Sequence, residues 1–159
     1  MKIVVGISDM KVSNTPGDIL VTYSLGSCIG VAIWDPFAKV GGLLHYMLPD
    51  SSLDKDKAQS KPFMFADTGV PRLFKETYRF GGEKNRMVVK VVGGSQIMDD
   101  AGVFNIGKRN YMVLRKIFWK NKIMIANEHV GGTANRTVSL DVATGVIRLK
   151  TSDSGEFEI

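Results

Sequence analysis

Apolar residues in the first fifty positions fall in short runs, not at helical spacing. Residues 2–7, 19–23, 29–34 and 40–47 are rich in valine and isoleucine, and they are punctuated by glycine, by Asn14-Thr15-Pro16-Gly17 and by Asp35-Pro36. Short β-branched runs between turn residues predict strands. Too little chain separates these four for helical crossovers, so they should pair mainly antiparallel. Residues 49–61, with Ser51-Ser52 and Lys55-Asp56-Lys57, form a polar stretch and predict an exposed, mobile loop.

Two later segments change period. Val70, Leu73, Phe74, Thr77 and Tyr78 lie at i, i+3, i+4, i+7 and i+8, one stripe of a helix. Asp67 or Thr68 can cap it, Pro71 fits its first turn and Gly81-Gly82 stops it. Val113, Leu114, Ile117 and Phe118 form a second stripe, with Asn105 as cap and Lys116, Lys120 and Lys122 near the end favoured by the helix dipole. Residues 87–92, 123–126, 137–142 and 146–150 complete the strands, the last two joined by Ala143-Thr144-Gly145 as a hairpin. The pattern predicts an α+β fold: layered, mixed but mainly antiparallel sheets with two main amphipathic helices packed on the outside.

With 159 residues, 44% of them hydrophobic, the chain is expected to be one domain over residues 1–159. A single cysteine excludes an intramolecular disulfide framework and points to a reducing compartment. The apolar start is too short for a signal peptide and is interrupted by Asp9; no run approaches the roughly 20 residues of a membrane span. A cytoplasmic location without membrane insertion is the expectation. The net charge of +5 suits an acidic partner or simply a soluble surface. Phe63, Phe65, Tyr111 and Trp119 are not interleaved with basic residues, so nucleic acid is not an expected partner.

Candidate chemistry starts at the lone thiol. Cys28 lies in Leu25-Gly26-Ser27-Cys28-Ile29-Gly30, where small neighbours let backbone amides and a ligand approach the sulfur. Such a cysteine is either an accessible nucleophile or a small core hydrophobe. Of two histidines, His45 sits in an apolar strand-like run 17 residues on, enough for one strand out and the next one back. An imidazole there can take the thiol proton and later protonate a leaving group, or it is a satisfied core residue. A third group would orient its far nitrogen: Thr22 and Ser24 offer hydroxyls, Asp35 and Asp50 carboxylates. Backbone N–H groups around Gly26, Ser27 and Cys28 could hold an oxyanion. His129, after a strand, reads as a polar loop residue. Two histidines and one cysteine without a tight pair are a poor zinc set, so neither metal nor cofactor is expected. Gly93-Gly94-Ser95 lacks the complete pattern of a phosphate loop.

At this level the chain resembles the chemoreceptor glutamine deamidases called CheD. The resemblance is carried by Thr22-Tyr23-Ser24-Leu25-Gly26-Ser27-Cys28, Asp35-Pro36, Gly42-Leu43-Leu44-His45-Tyr46-Met47-Leu48-Pro49 and Phe65-Ala66-Asp67. It continues through Gly93-Gly94, Asn105-Ile106-Gly107-Lys108-Arg109-Asn110, Gly131-Gly132 with Arg136, and Thr144-Gly145. It implies Cys28 as nucleophile, His45 as base and Thr22 as the group orienting His45. It also implies a layered fold similar to toxin-type cysteine deamidases. The implied reaction is deamidation of glutamines on chemoreceptor cytoplasmic helices, with a CheC-type phosphatase as partner in some lineages. Two positions depart from the family pattern: His129 stands where an acid is common, and Phe65 where a tyrosine is. A non-enzymatic adaptor that binds receptor or CheC, and a cysteine hydrolase acting on receptor methyl esters, are the competing readings.

Overall fold

A computed structural model describes residues 1–96 and 105–159, and in it ten strands build two five-stranded sheets. One sheet has the order β1 (Lys2–Val4), β3 (Ile19–Leu25), β8 (Arg136–Asp141), β9 (Ile147–Thr151), β10 (Gly155–Glu158). The other runs β2 (Asp9–Ser13), β5 (Val40–Tyr46), β4 (Ile29–Asp35), β6 (Val88–Gly93), β7 (Asn127–Val130). Pairing is antiparallel except for β1 with β3 and β6 with β7. Three helices lie between strands: α1 (Lys55–Ser60), α2 (Ala66–Arg79) and α3 (Ile106–Lys120). The α+β class and its layering are as the patterning predicts. Among the described residues no helix is long and apolar enough to cross a membrane.

Two apolar layers hold the stack. Val70, Leu73 and Phe74 of α2, with Leu114 and Phe118 of α3, pack on Ile29, Val31, Ile33, Leu44 and Tyr46 of the second sheet. Each such side chain contributes about 1.5–3 kcal/mol of burial. On that sheet's opposite face, Ala32, Leu43 and Val92 meet Leu20, Leu25, Val138, Leu140 and Leu149 of the first sheet. Strands β4 and β5 are therefore covered on both faces, which explains their uninterrupted apolar runs. β9 alternates buried and exposed because the first sheet turns its other face to water.

Several boundaries differ from those patterning gives. β2 and β10 are additional edge strands. The polar stretch expected to be a loop contains α1, capped by the Asp54 side chain accepting from the Lys57 N–H; it buries no residue, so it has no stripe to read. Helix α2 starts at Ala66, after Phe65, so Asp67 lies in its first turn and binds the Ser51 N–H and hydroxyl instead of capping. Thr68 bonds the Pro62 carbonyl, and Pro71 falls in the second turn. The predicted strand at 123–126 shifts to β7, because Ile123 and Ile125 pack against the helical layer ahead of it.

Asp35, at the end of β4, is fully buried and structural. It accepts from the Phe37, Ala38 and Glu83 N–H groups and forms an ion pair with Arg86 at 2.9 Å. Burial alone would raise its pKa, but the Arg86 and backbone donors together hold it down to about 2. An aspartate titrates near 3.9 when unfolded, so the ionised form should contribute about 2.6 kcal/mol above about pH 5. That contribution is lost as pH falls through 4 toward 2. Urea unfolding of wild type and Asp35→Asn should therefore show a stability difference that shrinks over that acidic window; a difference independent of pH would contradict the linkage.

Candidate active site

The layer between the sheets is mainly apolar, and within it Thr22 on β3 meets His45 on β5. Both are fully buried. Thr22 faces inward beside a bulge: between the pairs Thr22–Val138 and Leu25–Arg136, β3 carries one residue more than β8, with Ser24 at φ 58°. The extra residue lets both Thr22 and Leu25 point into the layer.

Thr22 Oγ1 donates to the Val5 carbonyl at 2.7 Å and lies 2.7 Å from His45 Nδ1. A hydroxyl has one proton, and the carbonyl can only accept it. His45 Nδ1–H must therefore donate to Thr22, which leaves Nε2 with its lone pair. That nitrogen is buried and has no hydrogen-bond partner, the Cys28 sulfur included. Burial pushes the imidazole down to a pKa of about 4, so it is neutral at physiological pH.

Cys28 reaches the same layer from the corner where the chain leaves β3 for β4. Gly30 pairs with His45 across β4 and β5, so Cys28, two residues earlier, falls on the same face as a diagonal neighbour of the histidine. Cys28 packs on the inter-sheet cluster and is half-buried as a residue. Burial raises the thiol to about 11, its own backbone N–H pulling the other way. The resting pair is thus thiol and imidazole, not thiolate and imidazolium, and no hydrogen bond joins them. Catalytic contacts often tighten only when substrate binds.

The loop carrying Cys28 is held by its carbonyls. Gly26 O accepts from the Ser95 N–H, Ser27 O from Asn110 Nδ2 and Cys28 O from the Gly94 N–H, each at 2.9 Å. In a planar trans peptide each carbonyl points opposite to the following N–H. Fixing Gly26 O and Ser27 O therefore turns the Ser27 and Cys28 N–H groups away from these anchors. This close approach needs glycine at two places. A Cβ on Gly93 would stand 2.2 Å from Cys28 O, and one on Gly107 would stand 2.3 Å from Ser95 O.

Other candidates lie elsewhere or do something else. Asp50 caps a turn through the Ser52 N–H and Asp35 is tied to Arg86, so neither meets His45. Ser24 is exposed. The Gly94 and Ser95 N–H groups are spent on the cysteine loop, which argues against an anion cradle there. His129 is on strand β7, not in a loop; its Nδ1 accepts from Arg136 Nε at 2.8 Å and its ring packs on Phe157. Arg136, almost wholly buried, also bonds Ser95 Oγ and the Gly131 carbonyl, bracing the segment that anchors the cysteine loop. Phe65 is fully buried. Sequence reading assigned no role to Asn110, Ser95 or Arg136; their place in motifs flanked by glycine was the only signal. Among the described residues no group of three His, Cys, Asp or Glu side chains could hold a metal ion. A groove of about 840 Å³, lined by Phe74, Tyr78, Met87, Lys122 and Met124, contains none of Thr22, Cys28 or His45.

The site thus sets a cysteine in the β3–β4 corner on the same face as a buried imidazole whose Nδ1 is bound to a threonine. The chain belongs to the CheD family, whose model, described as CheD chemotactic sensory transduction, matches residues 47–151. That span starts just after His45, but relatives align over nearly the whole chain. A protein of Syntrophus aciditrophicus named probable chemoreceptor glutamine deamidase is 59% identical over 150 residues, 94% of each chain. Another of that name from Solibacter usitatus is 48% identical, covering 98% of this chain and 90% of its own. A crystal structure of a Neisseria meningitidis DUF152 protein aligns with a TM-score of 0.43 at 11% identity, over 82% of this chain and 63% of that one.

The hydrogen-bond chain makes a spectroscopic prediction. Nitrogen NMR of the imidazole should find His45 as the Nδ1–H tautomer, neutral until the pH falls to about 4. Thr22→Ser should keep that tautomer and Thr22→Val should mix it with the Nε2–H form. A His45 that charges near the ordinary value of about 6.5 would contradict the assignment.

Proposed function

We propose that this chain deamidates glutamine side chains of chemoreceptors, the activity its relatives' names state, with Cys28 as nucleophile and His45 as base. The observation that carries the reading is the unpartnered Nε2 of a buried His45 whose Nδ1–H is committed to Thr22. A base needs a lone pair available toward the thiol, and this tautomer supplies it.

The reaction follows from the groups present. His45 Nε2 takes the Cys28 proton as sulfur attacks the carboxamide carbon, so no free thiolate has to persist in the dry layer. The carbonyl oxygen becomes an oxyanion facing the Ser27 and Cys28 N–H groups, each such donor being worth about 3 kcal/mol. The tetrahedral adduct collapses, the C–N bond breaks and imidazolium gives its proton to the departing ammonia. This leaves a γ-glutamyl thioester. Water, losing a proton to Nε2, attacks the same carbon; the C–S bond breaks, sulfur recovers the proton and glutamate is released. Thr22 holds the imidazole plane throughout and stabilises its charged form by accepting from Nδ1.

Incubation with chemoreceptor cytoplasmic fragments should release ammonia and add about one mass unit per modified glutamine, the difference between –NH₂ and –OH. Cys28→Ala and His45→Ala should abolish turnover, and Thr22→Ala should cost less than either. Near-normal ammonia release by Cys28→Ala would remove the nucleophile, and methanol in place of ammonia would mark an esterase. Retained receptor binding with no product from wild type would mark an adaptor.

A further inference from the structure

Asn110 lies in the second turn of α3 and is fully buried. Its side-chain amide donates twice, to the Ser27 carbonyl at 2.9 Å and to the Met47 carbonyl at 2.8 Å. Reversing the amide would aim an oxygen at two carbonyl oxygens, so the donor orientation is fixed by its acceptors. The Asn110 backbone carbonyl in turn accepts from the Tyr46 hydroxyl at 2.7 Å. Oδ1 is buried without a partner, a desolvation cost that an apolar residue would avoid if filling space were all this position required.

What the amide joins gives it a purpose. Pairing between β4 and β5 ends at Ile29 with Tyr46. Cys28 and Met47 lie one residue beyond that last rung. The Ser27 and Met47 carbonyls are both acceptors and cannot bond each other, but an NH₂ group between them supplies both protons.

We propose that Asn110 is the positioning residue of the thiol–imidazole pair, replacing the missing rung of the ladder and so setting how Cys28 Sγ approaches His45 Nε2. Through Ser27 it holds the residue before the nucleophile, and through Met47 it holds the end of the strand bearing the base. It also orients the Ser27–Cys28 peptide and with it the Cys28 N–H. The inference rests on Cys28 and His45 being the reacting pair.

Two readouts on the full chain test it, with Val113→Ala on the same helix as a packing control. The first is the pH profile of Cys28 alkylation by iodoacetamide without substrate. Asn110→Ala should loosen the Cys28 corner, open the thiol to water and shift the alkylation profile to lower pH, toward that of an ordinary cysteine, whereas Val113→Ala should keep the wild-type form. The second is turnover of a chemoreceptor fragment: Asn110→Ala should lower kcat about 100-fold, the loss expected of an ångström-scale misplacement, with KM within about twofold of wild type. A folded Asn110→Ala protein with wild-type profile and kcat overturns the proposal. If that variant does not fold, wild-type hydrogen exchange decides: the two Nδ2 protons should be strongly protected, and rapid exchange overturns the proposal. Should Cys28→Ala retain turnover, the deamidase mechanism fails on its own account, while the alkylation profile still tests Asn110.

Discussion

Between two sheets joined by leucine and valine, one hydroxyl passes its proton to a backbone carbonyl and accepts another from an imidazole. This chain from Val5 through Thr22 to His45 links the sheets by a polar contact within their dry interface. Leaving such groups unpaired in the same place would cost about 1–3 kcal/mol each, so sheet packing and hydrogen bonding must agree on register. A slip of β5 by one residue would turn His45 toward the helices and Leu44 toward Thr22. The energetics of the fold and the tautomer of the base therefore depend on the same contact.

The cysteine side is built from backbone. Segments around residues 26–28, 94–95 and 110 converge, and each carbonyl of the cysteine loop is matched with a donor from one of the other two. Binding a loop by its carbonyls leaves its N–H groups for other acceptors, which is the polarity an oxyanion requires. Arg136 and Ser95 extend the bracing one layer further, since the guanidinium ties Ser95 Oγ to the Gly131 turn. The rigidity of the corner comes from tertiary contacts far apart in sequence, not from the loop's own residues.

That distance explains what was legible beforehand. β3, β4, β5, α2 and α3 could be read because burial on one or both faces imposes a period or an unbroken apolar run. β2 and β10 are edge strands with mixed polarity, α1 buries nothing, and β7 reads Asn127-Glu128-His129-Val130, so none carries a strong periodic signal. Cys28 and His45 stood out by residue type and spacing, while Thr22 was one of four orienting candidates until the resemblance singled it out, and the direction of its hydrogen bond needed Val5, 17 residues away. The amide of Asn110 acts on Ser27 across 83 residues, a partnership no local pattern encodes. Asp35 shows the opposite case: a carboxylate near the right strand, fully occupied by Arg86 and three N–H groups at the wrong end of it.

The burial that keeps the His45 imidazole neutral also keeps the Cys28 thiol protonated. With the thiol raised to about 11 and the imidazole lowered to about 4, charge separation inside the layer is strongly uphill in the resting protein. In the proposed mechanism, transfer becomes favourable only when a new negative charge, on the substrate oxygen, appears beside oriented N–H donors and the imidazolium is needed in the same step. A surface thiolate would react with any electrophile or oxidant it met. In that mechanism the neutral Cys28 thiol gains its reactivity from a carbonyl that fits against the Ser27–Cys28 backbone. The proposed mechanism thus ties activation by a carbonyl held in that place to the low dielectric of the inter-sheet layer, the same property that makes the Thr22–His45 hydrogen bond necessary.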